Sequence, residues 1–305
     1  MEVYRIGEII RVERKRKKIS QEELCFGLCS VTTLSRIENG SQKPSLKVEE
    51  ALLERLGHST ENLIIYADGL EIKKHRLEEK IRLGMMDLED TEKLIEEYRR
   101  LITVRGTEGV LEKQFLIMSV AIQNLYQRRE KLTEIRQQLN YALRLTVPEF
   151  DEGMMYKPIL LTSTEIEILN NLALIDAKEG NGGRAIRIFK FLVDFLEQDM
   201  LCENITRRHY NMLTCNLVKQ LEIAKKHDEA ERYSQKGIDY CKKNRRMNGL
   251  PQLLYYNAVA NSHLGRYELA IERYEQAIVL FKLLDKKKIA LAVEEELKDL
   301  KCQQS

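Results

Sequence analysis

The stretch CSVTTLSRIENGSQKPS, residues 29–45, decides how the rest of the chain is read. Small hydroxyl side chains and one arginine fill a short helical pattern that Asn39-Gly40 cuts off. A buried helix would carry more Leu and Ala, and a solvated one more Glu and Lys. At helical spacing, Leu34 and Ile37 fall on one side. Thr32, Ser35, Arg36 and Asn39 fall on the other. The segment is built to present a face.

The flanking sequence supplies starts and stops. Ser30 is placed to cap this helix, and Gly40 sits just past its end, where a left-handed residue is favoured. Upstream, Ser20 and Glu23 form a capping-box pattern opening a shorter helix that ends at Gly27. Before it, a periodic segment from Arg5 to Lys17 carries Ile6, Ile9, Ile10 and Val12 as its apolar stripe. Pro44-Ser45 opens a fourth helix with Leu46, Ala51, Leu52, Leu53 and Leu56 for burial, and Ser59 a fifth with Leu63, Ile64 and Tyr66. Two short helices across a tight turn inside a five-helix unit describe a helix-turn-helix. Short side chains at the start of its second helix let that helix enter a major groove about 12 Å wide, where Arg36 can bond a guanine bidentately. The run RVERKRKK, residues 11–18, is suited both to phosphate contacts and to a solvated helix end.

The pattern SQEEL…G…S…LSRIENG…PS resembles the XRE/Cro-type repressor DNA-binding domain over residues 5–66. The resemblance implies that Val31, Thr32 and Arg36 face base edges, and that Gln21, Ser30, Asn39 and Lys43 meet phosphates; Ser35, on the same outward side, is a further DNA-binding candidate. Val31 departs from the polar reader that many relatives carry there.

Composition agrees with an all-α chain. Of 305 residues only 4 are Pro and 15 Gly, and the net charge of +2 confines any nucleic-acid surface to a local patch. No apolar run approaches the ~18 residues of a membrane span. The N-terminal MEVYRIGEIIRVERKRKK lacks the apolar segment of a signal peptide, so a cytoplasmic location is expected. The six cysteines contain no C-x-x-C and are expected to be small buried thiols in a reducing compartment. The five histidines, His58, His75, His209, His227 and His263, show no metal spacing, and no nucleophile–base arrangement is visible. No metal, no cofactor and no enzymatic activity are expected. Acid pairs such as Glu294 and Glu296 read as a solvated face.

Past a charged connector at residues 67–77, helix follows helix through residues 78–305. Three segments align on a small residue at the start of a second helix: Ala185, Ala230 and Ala270, spaced 45 and 40 residues apart. Gly180 and Gly265 each lie five residues before their alanine, at the turn between paired helices. GNGGR at 180–184 is therefore an interhelix turn, not a phosphate loop. The spacing resembles tetratricopeptide (TPR) repeats, with degenerate helix pairs expected around residues 76–101 and 110–145. The final segment, residues 282–305, reads as an amphipathic helix with Ile289, Leu291, Val293 and Leu297, suited to cap the array or to pair with a second subunit.

A solenoid of helix pairs makes a concave wall from its first helices. Asn171 and Asn216 each lie fourteen residues before their repeat's alanine, a groove-facing place in TPR proteins, where a carboxamide can grip a peptide backbone. In the third repeat Tyr256 holds that place, with Asn257 beside it. Lys178 and Lys219 are candidates for a ligand carboxylate.

A helix-turn-helix domain at residues 1–66 followed by a TPR-type α-solenoid resembles the Rgg/PlcR-like members of the RRNPP family of peptide-sensing regulators. The resemblance implies a cytoplasmic homodimer that binds double-stranded DNA and receives a short signalling peptide. Two alternatives stay open: a regulator whose repeats bind a protein or only dimerise, and an adaptor that binds no DNA.

Overall fold

The computed structural model describes residues 6–58, 69–86, 89–103, 109–127, 130–148, 150, 160–197 and 203–302. Among these residues there are fifteen helices and no strand. The chain divides into two compact units, Met1–Ile175 with Glu197–Thr206, and Asp176–Leu196 with Arg207–Ser305.

The first unit opens with α1 (Ile6–Arg16), α2 (Gln21–Cys25), α3 (Val31–Glu38) and α4 (Leu46–Arg55). Their ends follow the local chemistry. Ser20 and Glu23 cap each other's backbone N–H groups at α2, Ser30 accepts from Thr33 at α3, and Ser45 accepts from Val48 at α4. Gly27 and Gly40 take the left-handed conformation at φ 70° and 76°. Ile10, Leu24, Leu34, Ile37, Leu52, Leu53 and Leu56 close a common core. Val12, expected in the apolar stripe, is exposed. Arg14 is buried instead, because it has an acidic partner across the core. The fifth helix expected from Ser59 to Tyr66 lies outside the described residues.

The unit continues with α5 (Gly69–Met86), α6 (Glu92–Thr103), α7 (Val110–Gln127) and α8 (Leu132–Arg144), then α9 (Ser163–Lys178). The two degenerate pairs expected before the repeats correspond to α5/α6 and α7/α8. Helix α5 starts at Gly69, so most of the expected connector is helical. The first four helices are fastened to this array by buried polar contacts. Arg55 donates to the carbonyls of Leu24 and Phe26 and meets Glu165 at 3.4 Å. Thr146 donates to the same Glu165 oxygen at 2.6 Å. Lys47 pairs with Glu78, while Arg82 and Glu167 pair within the array, α5 to α9.

The second unit takes the end of α9 from Asp176, nearly all of α10 (Gly182–Glu197), α11 (Glu203–Ile223) from Arg207 onward, and α12 (His227–Lys243), α13 (Leu250–His263), α14 (Tyr267–Leu283) and α15 (Lys287–Cys302). Ala185, Ala230 and Ala270 are fully buried, as a small residue at a close helix crossing must be. Gly180 and Gly265 have φ 86° and 73°. Lys225 and Asp285 take the same left-handed step at φ 56°, five residues before Ala230 and Ala290. A non-glycine residue there costs roughly 1–2 kcal/mol, so the turn geometry outweighs local preference. In α15, Ala290, Val293, Leu297 and Leu300 face the core. Ile289 and Leu291, expected on that face, are exposed, because Ala290 sets the register against α14.

Of the thiols, Cys25 and Cys241 are buried, Cys29 and Cys215 are half-buried, and Cys302 is exposed, against the expectation of uniform burial. Cys202 lies outside the described residues. Burial pushes the Cys29 and Cys241 thiols up to about 11, which keeps them protonated. No described helix is long and apolar enough to cross a membrane.

Candidate DNA-binding and peptide-binding surfaces

The outer face of α3 is the first candidate. Val31, Thr32 and Arg36 are exposed along it, and Ser35 is half-buried. Its inner face is held by Leu34, Ile37 and Glu38. Glu38 is the fastening point. Arg14 reaches it from α1 through two parallel bonds of 2.6 and 2.9 Å, and Arg14 also donates to the Ile19 carbonyl at 3.0 Å. Gln21 donates its amide to the same carboxylate at 2.7 Å. Burial alone would raise the Glu38 carboxyl. The bonds from Arg14 and Gln21 and the arginine charge overcome burial and hold it below the usual carboxylate range.

Gly7 completes the clamp. A Cβ there would lie 1.8 Å from the Ile37 carbonyl oxygen, so only glycine lets α1 approach the end of α3. The arrangement locks α1, α2 and α3 together while leaving the outer row of α3 open. Short side chains near its start and a lone guanidinium a turn later can approach base edges in a groove.

Three expected phosphate contacts are partly engaged inside the protein. The Gln21 amide is taken by Glu38, which makes Gln21 a positioning residue and removes that amide from the role expected of it. Ser30 stays exposed, but its hydroxyl caps α3 and meets the Thr33 hydroxyl at 2.8 Å. Asn39 accepts from the Ser41 backbone and hydroxyl, which shapes the loop towards the exposed Lys43. Arg14 escaped the sequence reading because it sits inside a cation run. Its partner lies 24 residues away and is not a local signal.

The second candidate lies on the first helices of the repeats. Asn171 belongs to the first unit. It is 4% exposed, and its amide donates to the Glu167 carbonyl of its own helix. Its side-chain oxygen is buried with no hydrogen-bond partner among the described residues. Asn216, in the second unit, is half-buried on α11 and Lys219 is exposed; Lys178 is exposed on α9. Asn257 is a correction. It is fully buried and donates to Ser234 and to the Glu231 carbonyl of α12, so helix packing claims it.

Tyr256 is half-buried, and burial pushes its hydroxyl up to about 12. Beside it stands a group that the sequence reading missed. Tyr255 donates to Glu296 at 3.0 Å, and Tyr274 reaches the other Glu296 oxygen at 3.4 Å. Glu296 is thus more than a solvated acid. The tyrosine spacing within α13 and α14 was visible, but the α15 partner was not. The fold also brings His227 and His263, which share no sequence spacing, into ring contact.

These features define a class: a helix-turn-helix protein in which the second helix of the motif is clamped from behind, joined to an array of paired helices. Comparison with family models gives the same order of parts. The helix-turn-helix model matches residues 10–63, and the RNPP family C-terminal domain matches residues 113–296. The chain belongs to the RNPP family.

No curated protein matches the sequence. Solved structures share the fold at low identity. PlcR of Bacillus thuringiensis in complex with the peptide PapR7 and DNA is 19% identical, with a TM-score of 0.59 over 96% of this chain and 98% of that one. PlcR in its apo form is 17% identical, with a TM-score of 0.60 over 95% and 98%. A cysteine-to-serine variant of the Streptococcus dysgalactiae SHP pheromone receptor Rgg2 is 16% identical, with a TM-score of 0.51 over 97% and 99%.

Proposed function

We propose that this chain is a cytoplasmic transcription regulator that binds double-stranded DNA through α3 and whose activity is set by a short peptide held in the repeat array. The observation that carries the DNA reading is the exposed row Val31, Thr32, Arg36, backed by the buried Arg14–Glu38–Gln21 clamp. A clamp of that kind holds the helix rigid, and rigid presentation lowers the cost of docking in a groove. Residues 1–66 are taken as the DNA-binding part and residues 78–305 as the sensing part.

Family membership and the likeness to a fold solved with peptide and DNA support the peptide reading. In the second unit, the half-buried Asn216 and Tyr256 offer polar groups to a peptide. Lys178 and Lys219 offer charge for a terminal carboxylate.

The test is selection of DNA fragments by the purified chain, followed by anisotropy on the selected site with and without pooled short synthetic peptides. Sequence-specific binding that a peptide changes bears the proposal out. Specific DNA binding that no peptide alters would favour a protein partner for the array. Absence of DNA binding at low salt would leave the adaptor.

A further inference from the structure

The turn between α11 and α12 is three residues, Ala224 to Lys226, with Lys225 in the left-handed region. So tight a reversal sets Glu222, in the last turn of α11, against His227, the first residue of α12. The Glu222 Oε2 to His227 Nδ1 distance is 3.0 Å. Packing of α12 on α13 then brings His263, in the last turn of α13, over the same place. The two imidazole rings stack at 4.2 Å between centroids and 28° between planes. One ligand atom from each of the three residues lies within 4.8 Å of the other two.

The carboxylate is the informative member. The Glu222 side chain is only 9% exposed, yet its Oε1 is buried with no hydrogen-bond partner among the described residues. A buried carboxylate oxygen left unpaired is costly, and a cation at this place would satisfy it. The neighbouring Lys226 side chain is turned towards Glu229 at 3.5 Å.

We propose that Glu222, His227 and His263 form a binding site for a divalent transition metal of the zinc class, which clips α11, α12 and α13 together. The donor set decides the class. Two imidazoles and one carboxylate suit zinc, nickel, cobalt or copper, whereas magnesium and calcium require mainly oxygen ligands. Zinc takes imidazole nitrogen and carboxylate oxygen at about 2.0–2.2 Å. Three such donors around one ion stand roughly 3.3 Å apart in tetrahedral geometry. From separations within 4.8 Å, reaching that value requires side-chain rotation that turns the exposed His263 ring out of its stack on His227. The ion takes the place of the Glu222–His227 hydrogen bond, whose proton leaves to solvent or to the other ring nitrogen; both histidines bind as neutral imidazoles, and the fourth position is left to water. The clip would join three consecutive helices of the second unit, and it would stabilise the folded chain by mass action.

The test uses the full chain, tag removed and stripped with chelator, titrated calorimetrically with Zn2+ alone. The expected result is one ion per chain at micromolar affinity or tighter, with a rise in melting temperature that Mg2+ at equal concentration does not produce. His263→Ala removes an exposed ligand without opening the core, and should weaken Zn2+ binding at least tenfold and abolish the thermal shift. Glu222→Gln keeps the shape and should weaken binding similarly. Co2+ should give a visible absorption band in the wild type that the His263 variant lacks. Equal Zn2+ affinity in wild type and both variants would place the ion elsewhere, on the thiols for example, and overturn the proposal. So would the absence of Zn2+ binding at submillimolar concentration.

Discussion

At the scale of single residues, the proposed reading and the observed holding fall to different side chains. Arg36 is exposed on the outer row of α3, and among the described residues its guanidinium holds no hydrogen bond or ion pair that DNA contact would break. Arg36→Ala should cost about 1–3 kcal/mol on the preferred site and relax discrimination at one position per half-site. Anisotropy on single-base variants of the site measures both. Glu38 carries the opposite burden. Glu38→Gln keeps the shape but leaves Arg14 charged and nearly buried without its counter-ion, which should cost about 3 kcal/mol in stability at neutral pH. Because the folded Glu38 carboxyl is held below its usual range, its contribution is complete above the unfolded value of about 4.3 and fades as pH falls through the lower folded value. Wild type and variant should therefore melt alike in strong acid and apart at neutral pH. Equal melting at neutral pH would remove the clamp from the account.

At the scale of elements, α4 contains a built-in cost. Burial, then the neighbouring Glu50, raises the Glu49 carboxyl to about 6, with Glu71 adding to the rise and Lys43 opposing it. The folded chain then binds a proton at Glu49 between about pH 4.3 and 6, where the unfolded chain does not, so this group favours folding as pH falls into that window. Glu49→Gln should raise the melting temperature at pH 7 and give no gain at pH 4, in paired thermal unfolding curves. The helices themselves were legible beforehand. Ser20, Ser30 and Ser45 cap where their hydroxyls predict, and Ala185, Ala230 and Ala270 mark the helix crossings. Contacts that depend on stacking were not legible. His227 and His263 stand 36 residues apart with no motif between them, and Glu296 meets Tyr255 only because α15 packs back on the array. The αL turns at Lys225 and Asp285 were hidden for another reason, since only glycine announces that conformation in a sequence.

At the scale of the whole molecule, the C-terminal helices leave large apolar side chains in solvent. Val279 and Leu283 lie one turn apart on α14, with Leu283 71% exposed, and Leu291 on α15 is 58% exposed. Exposed apolar groups of this size mark interaction surfaces when they gather. A single helix-turn-helix unit also contacts too little DNA for tight binding, so such proteins pair on half-sites. We expect a homodimer by light scattering on the full chain, and expect the double substitution Leu283→Glu, Leu291→Glu to shift it towards monomer. A monomeric wild type at micromolar concentration would refute this.

The clamp behind α3 has a consequence over evolutionary time. Arg14, Gln21, Glu38 and Gly7 secure the helix from one side, while Val31, Thr32 and Arg36 face away. Substitutions in the outer row disturb none of the clamp's bonds, so most cost little stability. A lineage carrying this scaffold can drift from one target sequence to another by small steps, each intermediate folded. On the proposed reading of α3, the scaffold stays folded while the address it recognises is free to change.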